Sequence, residues 1–294
     1  MSLERLIANP GPLQVSFEFS PPRTEEAEVK LWEAIRRLEP LRPSFVSVTY
    51  GAGGTTRERT HHTVKRIVEE TSLKPAAHLT CVGHAKGEID DIVRGYWDAG
   101  IRHVVALRGD MPGMAGAYQA HPDGYKSTPE LIAGIRKIAD FEVSVSFYPE
   151  RHPDSPSHGH DIELLKRKMD AGATRALGQF CFDNDLTARF RDDAAAAGIA
   201  IPVVPGVMPT TNFTGISRMA AKAGATIPAW LARAYDGLEE DAETRRIVAS
   251  AVLADQVQQL RARGFGQFHF YTLNQANLAY AACRILGIRP KDVS

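Results

Sequence analysis

The stretch from 87 to 110, Gly-Glu-Ile-Asp-Asp-Ile-Val-Arg-Gly-Tyr-Trp-Asp-Ala-Gly-Ile-Arg-His-Val-Val-Ala-Leu-Arg-Gly-Asp, decides the fold. Gly87 to Ala99 has the pattern of a helix with a polar face, and Gly100 is the usual residue for a left-handed C-cap. His103 to Leu107 is then an apolar run short enough to be a fully buried strand, closed by the polar Arg108-Gly109-Asp110. Helix, glycine, buried strand and polar strand end make one α/β unit, and the rest of the chain repeats it.

Outward in both directions, the strand candidates are Val15 to Ser20, Phe45 to Tyr50, Ala76 to Val82, His103 to Leu107, Val143 to Tyr148, Ala173 to Gln179, Pro202 to Val207 and Phe268 to Tyr271. Helical patterns lie between them: Thr24 opening a helix through Leu38, then Glu58 to Glu70, Gly87 to Ala99, Pro129 to Ala139, Asp161 to Ala171 and Asn184 to Ala197. Gly172 and Gly198 repeat the role of Gly100. After the seventh strand come extra helices, Asn212 to Ala223, Pro228 to Tyr235 and about Glu240 to Arg263, and Asn274 to Leu286 closes the chain. Eight β-α units in 294 residues predict a single (β/α)8 TIM barrel, one catalytic domain over 1–294 with 1–12 as a short extension. A doubly wound open sheet is the competing architecture, but no strand is followed by G-x-G-x-x-G, and Gly51-Ala52-Gly53-Gly54-Thr55-Thr56 fails that spacing.

Composition narrows the class further. Hydrophobic residues at 44% and charged residues at 24% suit a globular protein, and 35 basic against 35 acidic residues leave no net field to draw nucleic acid or an anionic membrane. Met1 to Pro12 lacks the apolar run of a signal peptide, and no segment reaches the roughly 18 apolar residues of a spanning helix. A cytoplasmic protein is expected. Cys81, Cys181 and Cys283 lie far apart in apolar or small-residue settings, as reduced core thiols do.

In such a barrel the site lies at the C-terminal strand ends, so polar residues there are candidates for chemistry. Glu18 sits between Phe17 and Phe19, where desolvation favours a neutral carboxyl and so a general acid, or else an interior Glu paired with Arg. Thr49-Tyr50-Gly51-Ala52 lets a ligand approach the backbone. The third strand contributes His78, a core histidine or a ligand contact, and the fourth contributes Arg108, Gly109 and Asp110. The fifth and sixth strands end in Tyr148, with His152 beyond it, and in Gln179, whose amide suits a pterin-like edge. Lys166-Arg167-Lys168 is either a phosphate cluster or a solvated face. His158-Gly159-His160 falls in a Pro- and Ser-containing loop without metal-ligand spacing, so no metal is expected.

Five blocks, Phe17-Glu18-Phe19-Ser20-Pro21-Pro22-Arg23, Val46 to Ala52, His78-Leu79-Thr80-Cys81, Leu107-Arg108-Gly109-Asp110 and His269-Phe270-Tyr271-Thr272-Leu273-Asn274, resemble methylenetetrahydrofolate reductase of the short bacterial type. The resemblance implies an FAD enzyme of one-carbon metabolism and methionine biosynthesis, in which NADH or NADPH reduces the flavin and the flavin reduces 5,10-methylenetetrahydrofolate. By the same resemblance Glu18 is the general acid, Asp110 a carboxylate near flavin and pterin, and Gln179 a folate and nicotinamide contact. Leu273 and Gln275 fall at folate-binding positions. FAD falls to Thr49, Tyr50, Ala52, His78, Arg108, Gly109, Asp110, Tyr148, His152, Asp161, Arg167 and Lys168. A homo-oligomer, dimer or tetramer, is implied as well. The chain departs from the family pattern at Gln275, where an Arg is usual, at Gly215 and Met219 in place of Gln and Phe, and at Leu164 in place of Asn. These departures open the reading of a member working in the methyl-oxidising direction. A related FAD barrel that ignores folate, resembling proline dehydrogenase, is a competing enzyme, and a binding protein without turnover is a competing class. A metal-dependent hydrolase barrel is disfavoured by the histidine spacing.

Overall fold

The computed structural model describes residues 13–50, 57–111 and 118–290. Eight parallel strands close into a barrel in chain order, β8 pairing with β1. They are β1 (Gln14–Phe19), β2 (Val46–Val48), β3 (Pro75–Thr80), β4 (His103–Leu107), β5 (Glu142–Phe147), β6 (Arg175–Phe180), β7 (Val203–Val207) and β8 (Gln267–Tyr271). Around them run α1 (Glu25–Leu38), α2 (Arg57–Glu70), α3 (Lys86–Asp98), α4 (Thr128–Ile138), α5 (His158–Asp170) and α6 (Asn184–Ala196). Between β7 and β8 lie α7 (Phe213–Ala223), α8 (Ala229–Tyr235) and α9 (Ala242–Ala262), and α10 (Ala276–Ile285) follows β8. The extra helices after strand seven are therefore present as read from the sequence.

Two apolar layers follow from the period-two alternation of each strand. Val15, Phe17 and Phe19 of β1, Val46 and Val48 of β2, and Val143, Val145 and Phe147 of β5 point outward and pack under the helices in the main core. The alternate positions point inward, where Phe45, Ala76, Val105, Leu177 and Val204 form a separate small cluster. A third cluster joins Phe180, Phe182 and Met208 to Ile216 and Ala220 of α7 and Leu231 and Tyr235 of α8, so the helical excursion builds a wall beside β6 and β7.

Helix starts follow side-chain caps. Thr24 accepts from the amide of Ala27, Asp183 from Asp185 and Leu186, Asn212 from Gly215, and Asp241 from Thr244. One such cap corrects the loop expected at His158-Gly159-His160. Ser157 is extended and accepts from the amide of His160, so these residues form the first turn of α5, which begins at His158 instead of Asp161. At the other end, α10 begins at Ala276 because Leu273 and Asn274 hold left-handed backbone with φ of 50° and 57°. Gly206 marks the tightest approach in the barrel wall: a Cβ there would lie 2.0 Å from the Gly178 carbonyl oxygen and 2.5 Å from the Tyr271 ring. All three cysteines are buried and free. Among the described residues no helix is long and apolar enough to cross a membrane.

Candidate active site

Strand alternation sets the surroundings of Glu18. Because Phe17 and Phe19 face the helices and are buried there, the carboxyl points into the barrel away from both rings, which overturns the aromatic pocket expected from sequence adjacency. Its neighbours are imidazoles. His78 Nε2 of β3 lies 3.4 Å, and His269 Nε2 of β8 lies 3.7 Å, from the same oxygen, Oε2. His269 is fully buried, and its Nδ1 meets Ser16 Oγ at 2.8 Å. Phe45 stacks on the His269 ring and meets His103 edge-on, while His103 Nε2 lies 2.8 Å from Ser144 Oγ. Burial lowers the pKa of His78, with the Glu18 carboxylate pulling the other way, and burial followed by Arg175 lowers that of His103 to about 3.

Toward β4, β5 and β6 the same mouth gathers Asp110, Tyr148 and Gln179. Burial raises the Tyr148 phenol, the Asp110 charge raises it further, and a hydrogen bond with Gln179 opposes both. Tyr271 of β8 links the two halves. Its hydroxyl donates to the Gly178 carbonyl at 2.7 Å, and its pKa is raised by burial first and then by Glu18 and Tyr148. Gln179 Oε1 also accepts from the amide of Phe180.

Beyond Tyr148 lies a charged shelf. Arg108 pairs with Asp154 at 2.6 Å and sits over the Tyr118 ring. The His152 ring packs edge-on against Tyr148, its Nδ1 accepts from the amide of Asp154, and its own amide donates to Asp161. Lys168 is buried, donates from Nζ to the Ser146 carbonyl at 2.8 Å, and has a pKa lowered to about 8 by burial, with Asp161 opposing and Arg108 adding to the fall. Successive helical residues point roughly 100° apart, so the basic run divides: Lys168 turns inward, Lys166 pairs with Asp170 on the surface, and Arg167 is exposed.

The structure thus brings Glu18, His78, Asp110, Tyr148 and Gln179 to one mouth and places Arg108, His152, Asp161 and Lys168 beside it. Thr49 donates its amide to the Phe19 carbonyl at the end of β1. Tyr50 instead lies near Arg57 and Tyr96, with its phenol raised by burial. Gly109 has φ +84°, and a Cβ there would lie 2.6 Å from Val82 Cγ1, so the turn after Arg108 requires glycine. Leu273 and Gln275 lie at the rim, Leu273 exposed, and Met219 is exposed on α7. Ala52 lies outside the described residues. Reading the sequence missed Ser16, His269 and Tyr271; the signal was available, since in Gln267–Tyr271 every second residue faces the side that Glu18 occupies.

The family model described as Methylenetetrahydrofolate reductase matches residues 3–287. The chain is 48% identical to 5,10-methylenetetrahydrofolate reductase of Escherichia coli K12 over 280 residues, 95% of this chain and 93% of that one. The chain belongs to the methylenetetrahydrofolate reductase family. A plant relative, Methylenetetrahydrofolate reductase (NADH) 1 of Zea mays, is 32% identical over 96% of this chain but only 49% of its own length, so this chain corresponds to part of the plant protein. Among solved structures, a Clostridium thermocellum protein described as binding two copies of 5-methyl-5,6,7,8-tetrahydrofolic acid superposes with a TM-score of 0.64 at 13% identity, covering 97% of this chain and 98% of that one. Dihydropteroate synthase from Xanthomonas albilineans superposes with a TM-score of 0.51 at 13% identity, covering 94% of this chain and 92% of that one. At those identities the likeness is one of fold, and it agrees with the closed eight-stranded barrel of this chain.

Proposed function

We propose that the protein reduces 5,10-methylenetetrahydrofolate to 5-methyltetrahydrofolate, using FAD as resident cofactor and NADH or NADPH as electron donor, as one barrel domain in a cytoplasmic homo-oligomer. The observation that carries this reading is the mouth itself. A carboxyl flanked by two imidazoles faces Tyr148, Asp110 and Gln179 across Tyr271, which is a proton donor opposite an array of groups suited to a pterin.

The residues present fit a flavin dinucleotide. Thr80 Oγ1, Ser47 Oγ and Tyr50 Oη are buried without a hydrogen-bond partner among the described residues, which is costly unless a ligand or water meets them. Arg108, His152, Lys168 and, from the exposed face of α5, Arg167 would supply cations and donors for its phosphates, with Asp161 holding the His152 backbone. Thr49, Tyr50, His78, Gly109, Asp110 and Tyr148 would line the remainder, and Ala52 is assigned to it by the family resemblance alone. When bound, FAD supplies the hydride store between nicotinamide and folate.

The chain's own groups do the rest. Glu18 gives a proton to the folate nitrogen that releases the methylene carbon, opening the five-membered ring to an electrophilic iminium. Asp110 bonds the pterin and sets a negative charge beside it, and Gln179 orients folate and nicotinamide in turn. Gln275 and Leu273 contact the folate from the rim without the charge an Arg would bring. The wall of α7 and α8 closes one side and limits water.

An anaerobic visible titration of the FAD-loaded protein tests this. Bleaching by NADH followed by recovery on adding methylenetetrahydrofolate supports both half-reactions. Flavin binding without recovery by folate would leave a flavin barrel of another specificity, and no flavin binding would overturn the assignment.

A further inference from the structure

Both histidines beside Glu18 approach the same carboxyl oxygen, and among the described residues the other oxygen, Oε1, has no hydrogen bond or ion pair. The two imidazoles are also held differently. His269 is fully buried at the β1–β8 seam, with Ser16 at 2.8 Å from Nδ1 and the Phe45 ring stacked on it, so its ring has one orientation available. The Ser16 hydroxyl has a second contact, 3.4 Å from the Phe268 carbonyl. The shorter contact is the stronger claim on its single hydrogen. With that hydrogen on Nδ1, the imidazole carries its own on Nε2, aimed at Glu18 Oε2.

We propose that Ser16 and His269 are positioning residues for the acid: Ser16 sets the tautomer of His269, and His269 Nε2–H, with His78, anchors Oε2 so that Oε1 presents its proton to the substrate. The inference rests on the reading of Glu18 as proton donor. The proton on Oε1 passes to the substrate nitrogen, the carboxylate left behind has its new charge met at Oε2 by imidazoles whose Nε2 atoms are buried beside it with no other hydrogen-bond partner among the described residues, and the proton returns from water when product leaves. The groups facing Glu18 are His78 from β3, His269 and Tyr271 from β8, and the uncharged Ser47 from β2. At 3.7 Å the His269 contact is longer than a hydrogen bond, and such catalytic contacts tighten as the reacting complex forms.

The two ring nitrogens give a discriminating test. Gln places a donor near the position of Nε2, whereas Asn reaches only the position of Nδ1. In the FAD-loaded protein, His269→Asn is expected to slow folate-driven flavin reoxidation by about tenfold to a hundredfold, a fraction of what a general acid supplies. KM for the folate and flavin reduction by NADH should stay close to wild type. His269→Gln should recover most of the rate, and Ser16→Ala should fall between. Imidazole 15N shifts in the wild-type apoprotein, assigned by loss of the signal in His269→Gln, should show His269 protonated on Nε2. Asn matching or exceeding Gln, unchanged rates in all three variants, or an Nδ1–H tautomer each overturns the proposal. Glu18→Gln separates this from failure of the underlying reading: normal folate turnover in that variant removes the acid, and with it any role in positioning it, whereas loss in Glu18→Gln with wild-type rates in His269→Asn removes the positioning alone.

Discussion

The carboxamide of Asn274 pairs with both backbone groups of Ser20, accepting from its amide and donating to its carbonyl, each at 2.9 Å. Thr272 adds its hydroxyl and amide to the Glu18 carbonyl. The β1–β8 ladder is thereby continued past the last strand residue by side chains, and the backbone that carries Glu18 is held from both ends. Asn274→Gly preserves the left-handed backbone while removing the amide, so it should cost about 1 kcal/mol of stability. The folate half-reaction should fall more than stability suggests, by about tenfold, because small displacements of a catalytic group are expensive. Asn274→Asp should be worse, since one carboxylate oxygen then opposes the Ser20 carbonyl. Urea unfolding and stopped-flow flavin reoxidation measure the two effects.

Lys168 is a buried cation whose pKa falls to about 8. From an ordinary value near 10.5, that shift corresponds to about 3 kcal/mol held against the folded apoprotein. The cost is fully present below pH 8 and fades between pH 8 and 10.5, where the unfolded chain binds the extra proton. Lys168→Met should therefore raise apoprotein stability at pH 7 by up to that amount, less whatever the bond to the Ser146 carbonyl contributes, and the advantage should vanish near pH 10.5. The same variant should weaken FAD binding at least tenfold. Unchanged flavin affinity would mean that the lysine does not meet the phosphates.

Acid should act through the barrel interior. His103 is neutral in the fold, with a pKa near 3 caused by burial and then Arg175, and His78 is lowered by burial as well. Below about pH 6.5 the unfolded chain binds protons that the folded chain refuses, so stability falls with pH by up to about 1.4 kcal/mol per unit for each such histidine. His103→Gln keeps a donor for Ser144 near the Nε2 position and should flatten this slope by close to one proton's worth between pH 6 and pH 4. Urea midpoints across that range give the comparison.

Gly206 and Tyr271 should respond very differently to small changes. Gly206→Ala puts a methyl into the Gly178 carbonyl and the Tyr271 ring, so it should cost about 3 kcal/mol or more and swing the phenol out of the mouth. Tyr271→Phe removes only the bond to the Gly178 carbonyl and should cost about 1 kcal/mol with the fold retained. Thermal melts of the two variants test the difference.

The barrel was legible in the sequence because glycine caps and buried strands recur unit by unit, as Gly100 and His103 to Leu107 show. The loop expected at His158 failed because a single serine hydroxyl, that of Ser157, captures an amide three residues on. The motif residues Glu18, Asp110 and Gln179 were legible as polar strand ends. Their environment was not. Phe17 and Phe19 are neighbours of Glu18 along the chain but lie on the opposite face, whereas His78 and His269 are distant in the chain and adjacent in space. Likewise Arg167 and Lys168 look like one cluster in the sequence and are separated by the turn of the helix.

The contact between Ser16 and His269 joins residues 253 positions apart, from the first strand of the barrel to the last. A ribosome must therefore translate through the eighth strand before the carboxyl of Glu18 has its two imidazoles, and until then the first strand keeps one unpaired edge beside a growing chain. Closure of the barrel and assembly of the acid are one late event, so premature termination before the last strand should yield no partially competent enzyme, only a chain that aggregates or is degraded.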